Sequence, residues 1–270
     1  MDIGTITREE FTLFQRLIYK LAGISMSDAK QTLLAGRLQK RLRHYNLQTY
    51  TQYYRMVASG QHPGEVQTMV DLLTTNETYF FREPKHFEFL TSEILPKRSA
   101  GSTFRVWSAA SSTGEEAYTI AMLLTDKLGA SRPWEVFGSD ISTQVLAKAA
   151  RGHYPMTRNE GIPPDYLRKY CLRGVRAQEG TFLIAPEVRQ HVSFTQVNLT
   201  HPIKADVGLF DVIFLRNVMI YFDMETKQKV VSHLLPHLKP GGYFIIGHSE
   251  TLNGLNTPLR AVRPTIYQKP

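Results

Sequence analysis

The segment Phe210-Asp211-Val212-Ile213-Phe214-Leu215-Arg216-Asn217-Val218-Met219-Ile220-Tyr221-Phe222 constrains the fold most, because an apolar run fit for a buried strand halts abruptly at Arg216 and Asn217. Burying those two groups unpaired would be costly. Near-continuous apolar strands between helical patterns belong to open parallel sheets, which place ligands outside the carboxyl ends of their strands. Arg216-Asn217 is therefore either a ligand-facing edge or a strand end that meets solvent.

The rest of the chain supplies that alternation. From Thr7 to about Leu73 the periodicity is helical, opening with a Thr7-Arg8-Glu9-Glu10 capping box ahead of Phe11, Phe14, Leu17, Ile18 and Leu21. Residues 1–73 read as a small helical domain. Residues 74–84 read as a linker that packs, with Thr and Asn followed by Tyr79, Phe80 and Phe81. Residues 85–270 then carry strands expected at Thr103–Trp107, Trp134–Gly138, His191–Val197, Asp211–Leu215, Gly242–Gly247 and Thr265–Lys269. Helices are expected at Pro84–Leu95, from Glu115, at Thr143–Arg151 and at Met224–Leu238. Strand, small-residue loop, helix, strand and acid follow the order of a nucleotide-binding βαβ unit. Pro155 to about Gln190 breaks the alternation and reads as an insertion forming its own hairpin unit.

Composition narrows the function. In 270 residues with a formal charge of +8, no apolar stretch is long enough to span a bilayer, so no membrane insertion is expected. Met1-Asp2-Ile3-Gly4-Thr5 opens neither a signal peptide nor an arginine-rich transit sequence, which predicts a cytoplasmic protein. The lone Cys171 rules out an internal disulfide framework. Between Ala29 and Gly64 there is no acid, while Lys30, Arg37, Lys40, Arg41, Arg43 and Arg55 are basic. Leu34, Leu38, Leu42 and Tyr45 turn one helix face inward, which leaves a positive stripe: a partner surface, or simply a solvated face. No metal site is expected. His233 and His237 are four apart, but they lack the glutamate of a zinc-protease motif and Pro236 interrupts the helix.

The loop Ser108 to Gly114 sits where dinucleotide folds keep G-x-G-x-x-G, yet it has one glycine. A pyrophosphate needs closer backbone approach than this, which argues against NAD or FAD and favours a nucleoside without phosphates such as S-adenosylmethionine. Asp140, at the end of the second strand, either accepts ribose hydroxyls or caps the next helix.

The stretches at 74–83 (TTNETYFFRE), 105–122 (RVWSAASSTGEEAYTIAM), 138–142 (GSDIS), 197–199 (VNL), 210–223 (FDVIFLRNVMIYFD) and 241–250 (GGYFIIGHSE) closely resemble the chemotaxis receptor glutamate O-methyltransferase (CheR) family. The resemblance covers nearly the whole chain in order. It implies a Rossmann-like class I methyltransferase sheet with an N-terminal helical domain and an inserted β-subdomain at about 170–196. It also implies transfer of a methyl group from S-adenosylmethionine to glutamate side chains on the cytoplasmic helices of bacterial chemoreceptors. Carried over by position, the cofactor contacts are Asn76, Thr78, Arg82, Glu115, Asp140, Asn198, Leu199, Arg216 and Asn217, with Arg82 and Tyr221 nearest the transferred methyl. Read without the resemblance, Glu115 is a first-turn helix charge and Asn76 a turn former.

That chemistry needs no general base, since a glutamate with a reference pKa of about 4.3 is ionised at neutral pH. The basic helix, with Lys30, Arg37, Lys40, Arg41 and Arg43, would then face acidic receptor helices. In some family members the β-subdomain pairs an edge strand with a receptor's C-terminal peptide; for this chain that is left open. A nucleic-acid methyltransferase suits the charge but lacks an amino-methylation signature at the strand end, so no nucleic-acid partner is expected. A signalling adaptor without turnover is the reading from another class.

Overall fold

The computed structural model describes residues 4–98, 101–129 and 133–270; the expected opening Met1-Asp2-Ile3 lies outside them. The helical domain holds α1 (Arg8–Ala22), α2 (Gln31–His44), α3 (Tyr50–Ala58) and α4 (Pro63–Leu73). The Thr7–Glu10 capping box forms as expected, and Glu10 also accepts from the Thr51 backbone, tying α1 to α3. Phe11, Phe14, Ile18, Leu34, Leu38, Leu42 and Tyr53 make the apolar core. Beside it sits the buried carboxylate of Glu65. Glu65 accepts from Arg41 Nε (2.8 Å) and Nη2 (2.6 Å), from Tyr53 Oη (2.7 Å) and from Tyr45 Oη (3.0 Å).

Residues 74–84 contain only turns and bends, with Phe81 and Glu83 at positive φ. The second body begins at α5 (Lys85–Phe89), extended by a π-helical turn (Leu90–Ile94), then β1 (Phe104–Ala109), α6 (Glu115–Leu128), β2 (Trp134–Asp140) and α7 (Thr143–Arg151). It continues with β3 (His153–Pro155), α8 (Pro164–Tyr170), β4 (Cys171–Arg173), β5 (Thr181–Ile184), α9 (Pro186–Arg189) and β6 (Val192–Gln196). The chain finishes with β7 (Phe210–Leu215), α10 (Met224–Leu234), β8 (Leu238–Ile246), β9 (Arg260–Arg263) and β10 (Ile266–Gln268).

The main sheet runs β6-β2-β1-β7-β8-β10-β9, parallel from β6 to β8, with β10 and β9 added antiparallel. Buried residues on both faces, such as Val106, Val212 and Phe214 on one and Trp107, Ile213 and Phe244 on the other, explain the continuous apolar strands. From β1 the chain moves outward to β2 and later returns to β7 on the other side. That reversal is a topological switch point, where such sheets open a crevice.

The structure corrects several expectations. The insertion's sheet is β3-β5-β4, antiparallel, so it begins at His153, earlier than 170, while Val192–Gln196 pairs with β2 in the main sheet. The α10 helix stops at Leu234; a 3-10 turn spans Leu235–His237 and β8 starts at once. Pro236 lacks the donor an α-helix needs. His233 and His237 bind the carbonyls of Leu199 and Gly208 through Nδ1 and do not face each other as a ligand pair.

Loops at the carboxyl ends of the strands also hold the helical domain. Asn198 Nδ2 donates to Leu21 O (2.7 Å), Ser25 N to Tyr221 O (2.8 Å) and Tyr19 Oη to Asp223 (2.8 Å). Gly23, which ends α1 at φ 69°, is so close to Thr226 and Thr200 that a Cβ would lie 2.6 and 2.7 Å from their methyls. Only glycine meets both demands.

Candidate active site

A cleft opens at the switch point, between the ends of β1, β2 and β7, the linker and the helical domain. Its floor is Asp140, 7% exposed at the end of β2. Asp140 Oδ2 accepts from Ser112 N and Oδ1 from Ser142 N, both at 2.9 Å. Burial raises its pKa, with these backbone hydrogen bonds opposing the rise. Each oxygen keeps acceptor capacity for a further donor.

The loop after β1 is unusual. Ala110 and Ser112 adopt positive φ without being glycine (73° and 49°), a conformation that costs of order 1–3 kcal/mol and persists only where surroundings impose it. Here Asp140 holds Ser112 N, Ser112 Oγ donates to Asn76 O (2.8 Å), and Ser111 N donates to Ser139 O (2.7 Å). Loop, strand end and linker are thus locked together. Ser111 lines the cleft, and its buried Oγ has no hydrogen-bond partner among the described residues.

Arg216 forms the opposite wall and is the hub of the site. Its guanidinium, 6% exposed as a residue, pairs with Glu83 (3.0 Å) and Glu116 (2.8 Å), donates to Arg82 O and lies 5.3 Å from the Phe87 ring centroid. Glu116 also accepts from Ser108 Oγ (2.7 Å). Asn217, at φ 59°, donates through Nδ2 to Glu83 (3.1 Å). Its backbone N–H goes to Glu250, which also accepts from Met219 N and Gly247 N (both 2.7 Å). The polar end of the strand is therefore held largely by carboxylates, while Arg216 Nε is buried without a partner among the described residues.

Asn76, Thr78, Arg82, Asn198, Leu199 and Tyr221 line the same cleft with Asp140, Arg216 and Asn217. Asn198 commits one N–H to Leu21 O and its carbonyl oxygen to Thr200, which leaves its second N–H and the local backbone to a ligand. Arg82 donates to Glu77 O (3.1 Å) and stands over the Tyr79 ring, half-buried at the cleft edge. Lys30 Nζ lies 5.4 Å from the Tyr221 ring centroid.

Glu115 does not line the cleft. It is 1% exposed and turned away, accepting from Thr113 Oγ1 (2.6 Å), with Arg158 at 3.6 Å; burial raises its pKa. Consecutive helical positions point about 100° apart, so one of the pair Glu115-Glu116 faces the cleft, and it is Glu116. Sequence reasoning missed Glu83, Glu116 and Glu250. A buried arginine at a strand end demands carboxylate partners, which was the available signal.

Two family models match in tandem: "CheR methyltransferase, all-alpha domain" over residues 9–74 and "CheR methyltransferase, SAM binding domain" over residues 76–268. The chain belongs to the CheR methyltransferase family. Among curated relatives, the chemotaxis protein methyltransferase of Escherichia coli K12 is 42% identical over 95% of this chain and 89% of its own length. Chemotaxis protein methyltransferase 2 of Pseudomonas aeruginosa PAO1 is 39% identical over 97% and 93%. The Borreliella burgdorferi chemotaxis protein methyltransferase is 35% identical over 98% and 95%. This CheR-family chain is thus an S-adenosylmethionine-dependent methyltransferase. The cleft suits the cofactor: a buried carboxylate with free acceptor capacity forms its floor, and Ser111, whose hydroxyl has no partner among the described residues, lines the same cleft.

Proposed function

We propose that this enzyme methylates glutamate side chains on the cytoplasmic helices of bacterial chemoreceptors, giving glutamate methyl ester and S-adenosylhomocysteine, and that it works in the cytoplasm. The observation that carries this reading is the mouth of the cleft. Arg82, Lys30 and Tyr221 all line it, with Lys30 Nζ 5.4 Å from the Tyr221 ring centroid, and the chemistry asks for no base because the substrate carboxylate is already ionised.

S-adenosylmethionine supplies a methyl group on a sulfonium leaving group. Asp140 takes the ribose hydroxyls; Asn76, Thr78, Arg216 and Asn217 bound the amino-acid end, and the backbone at Asn198-Leu199 borders the adenine. Arg82 orients the incoming carboxylate and Tyr221 shapes the methyl channel. This is catalysis by alignment. An Arg82 pair that is too tight would favour the ground-state carboxylate and slow attack, so its hold must be loose.

The basic helix narrows as a partner surface. Arg41 is committed to Glu65, which raises its pKa, and Arg37 donates to the carbonyls of Leu73 and Thr74. Lys40 and Arg43 are exposed, and Lys30 lines the cleft. These remain to steer acidic receptor helices. The β3-β5-β4 subdomain leaves β4 as an edge strand, and a receptor C-terminal peptide would add there. Among the described residues no helix is long and apolar enough to cross a membrane.

The test is incubation with methyl-labelled S-adenosylmethionine and receptor cytoplasmic fragments, with and without their C-terminal residues. Label released by mild base marks a carboxyl ester and supports the reading. A base-stable product refutes it in favour of nitrogen or carbon methylation. Arg82→Ala should lower turnover with cofactor affinity kept; full turnover removes the assigned role.

A further inference from the structure

Beside the Arg216 hub, where Glu83 also holds Arg216 and Asn217, the side chains of Glu83, His86 and His248 converge. Each has a ligand-capable atom within 4.8 Å of the others'. His86 is 1% exposed on α5, its ring packed edge-on against His248 at a centroid separation of 4.8 Å. Its Nε2 lies 2.7 Å from Thr265 Oγ1, and that hydroxyl donates in turn to Pro264 O (2.6 Å). With the Thr265 proton committed, the hydroxyl oxygen accepts, so Nε2 carries the imidazole hydrogen. This tautomer is assigned from the hydrogen-bond network.

The consequence falls on the other nitrogen. His86 Nδ1 then points a bare lone pair at Glu83 Oε2, 3.4 Å away, and it is buried without a partner. Two electron-rich atoms facing each other want a cation between them.

We propose that Glu83 Oε2, His86 Nδ1 and a ring nitrogen of His248 bind a borderline divalent cation such as Zn2+. Zinc bonds of about 2.0–2.1 Å in a tetrahedron put adjacent ligand atoms about 3.4 Å apart, which matches the Glu83–His86 separation. His248 is exposed, its ring already packed against that of His86, and it leaves the fourth position to solvent. Charge does not forbid the site. Glu83 and Glu116 outnumber the Arg216 guanidinium that pairs with both. A bound metal would share Oε2 with Arg216, so the site adjoins the seam that holds Arg82 in place.

Titration of tag-free, full-length protein with Co2+ reads the site through its visible d–d absorption. The expected result is one equivalent bound with an intense four-coordinate band, displaced by Zn2+. His248→Ala, an exposed change checked for folding by circular dichroism, should remove the band and weaken binding at least about tenfold. No saturable band, or a band unchanged in His248→Ala, overturns the proposal.

Discussion

Arg216→Gln is the sharpest test of how the cleft is held. The side chain is 2% exposed and pairs with carboxylates that are 12% and 13% exposed, Glu83 at 3.0 Å and Glu116 at 2.8 Å. Removing the cation from a buried pair costs about 3–5 kcal/mol, because the carboxylates stay behind uncompensated. In a protein of this size that lowers Tm by roughly 10 °C. Both tryptophans, Trp107 and Trp134, lie in the sheet, so urea unfolding followed by their fluorescence reports on the body that carries the cleft. A cycle with Glu83→Gln isolates the pair: with Glu83 neutral, losing Arg216 should cost at least about 1 kcal/mol less. Acid sensitivity should change as well. Burial acts to raise the Glu83 pKa, but Arg216 and Asn217 outweigh it and the net shift is downward. Glu83 therefore contributes stability above the ordinary carboxylate range, and this is lost as pH falls through its lowered pKa. Arg216→Gln should flatten that acid limb. Additivity within about 0.5 kcal/mol would show that the two residues act independently and refute the hub.

Asp140→Asn should weaken S-adenosylmethionine binding about ten- to a hundredfold by calorimetry, since a charge-assisted hydrogen bond contributes about 1.5–3 kcal/mol; a change under twofold removes Asp140 from the ribose. Glu115→Gln, by contrast, should leave cofactor affinity within about threefold, and a larger loss would restore the contact that the family resemblance implies. In the helical domain, Glu65→Gln should cost about 3 kcal/mol in thermal unfolding by breaking the Arg41 pair and the tyrosine hydrogen bonds. Burial acts against the Glu65 charge, yet these partners lower its pKa overall. Its contribution is thus present above the carboxylate range and disappears as pH falls through the lowered value, so the variant should lose that acid dependence.

Features governed by local rules were legible in the sequence. Capping at Thr7, the Thr143–Arg151 helix and the apolar strand before Arg216 depend on neighbours a few residues away. β9 was missed because Arg260–Arg263 is exposed throughout and carries no alternation. β3 and β4 are too short to show a period, which displaced the insertion's boundary. At the cleft, Asp140 and Arg216 were visible as polar residues ending apolar strands. Their partners were not: Glu83 and Arg216 are 133 positions apart, and no local pattern marks a carboxylate that only tertiary packing brings in. The Glu115-Glu116 ambiguity is of the same kind. Sequence places both in one helical turn, and packing selects which carboxylate meets Arg216.

The loops that border the cleft are also the ones that grip α1 and the turn after it, through Asn198 to Leu21, Tyr221 to Ser25 and Asp223 to Tyr19. A cofactor that orders those loops would therefore favour attachment of the helical domain. Whatever orders those loops for one orders them for the other, and the coupling is reciprocal. At a ligand concentration one hundred times Kd, up to about 2.7 kcal/mol is available to hold the domain in place. The helical domain then acts as a reporter as well as a wall: its detachment, easiest in the empty enzyme, would withdraw Lys30 and Arg37 from the cleft together.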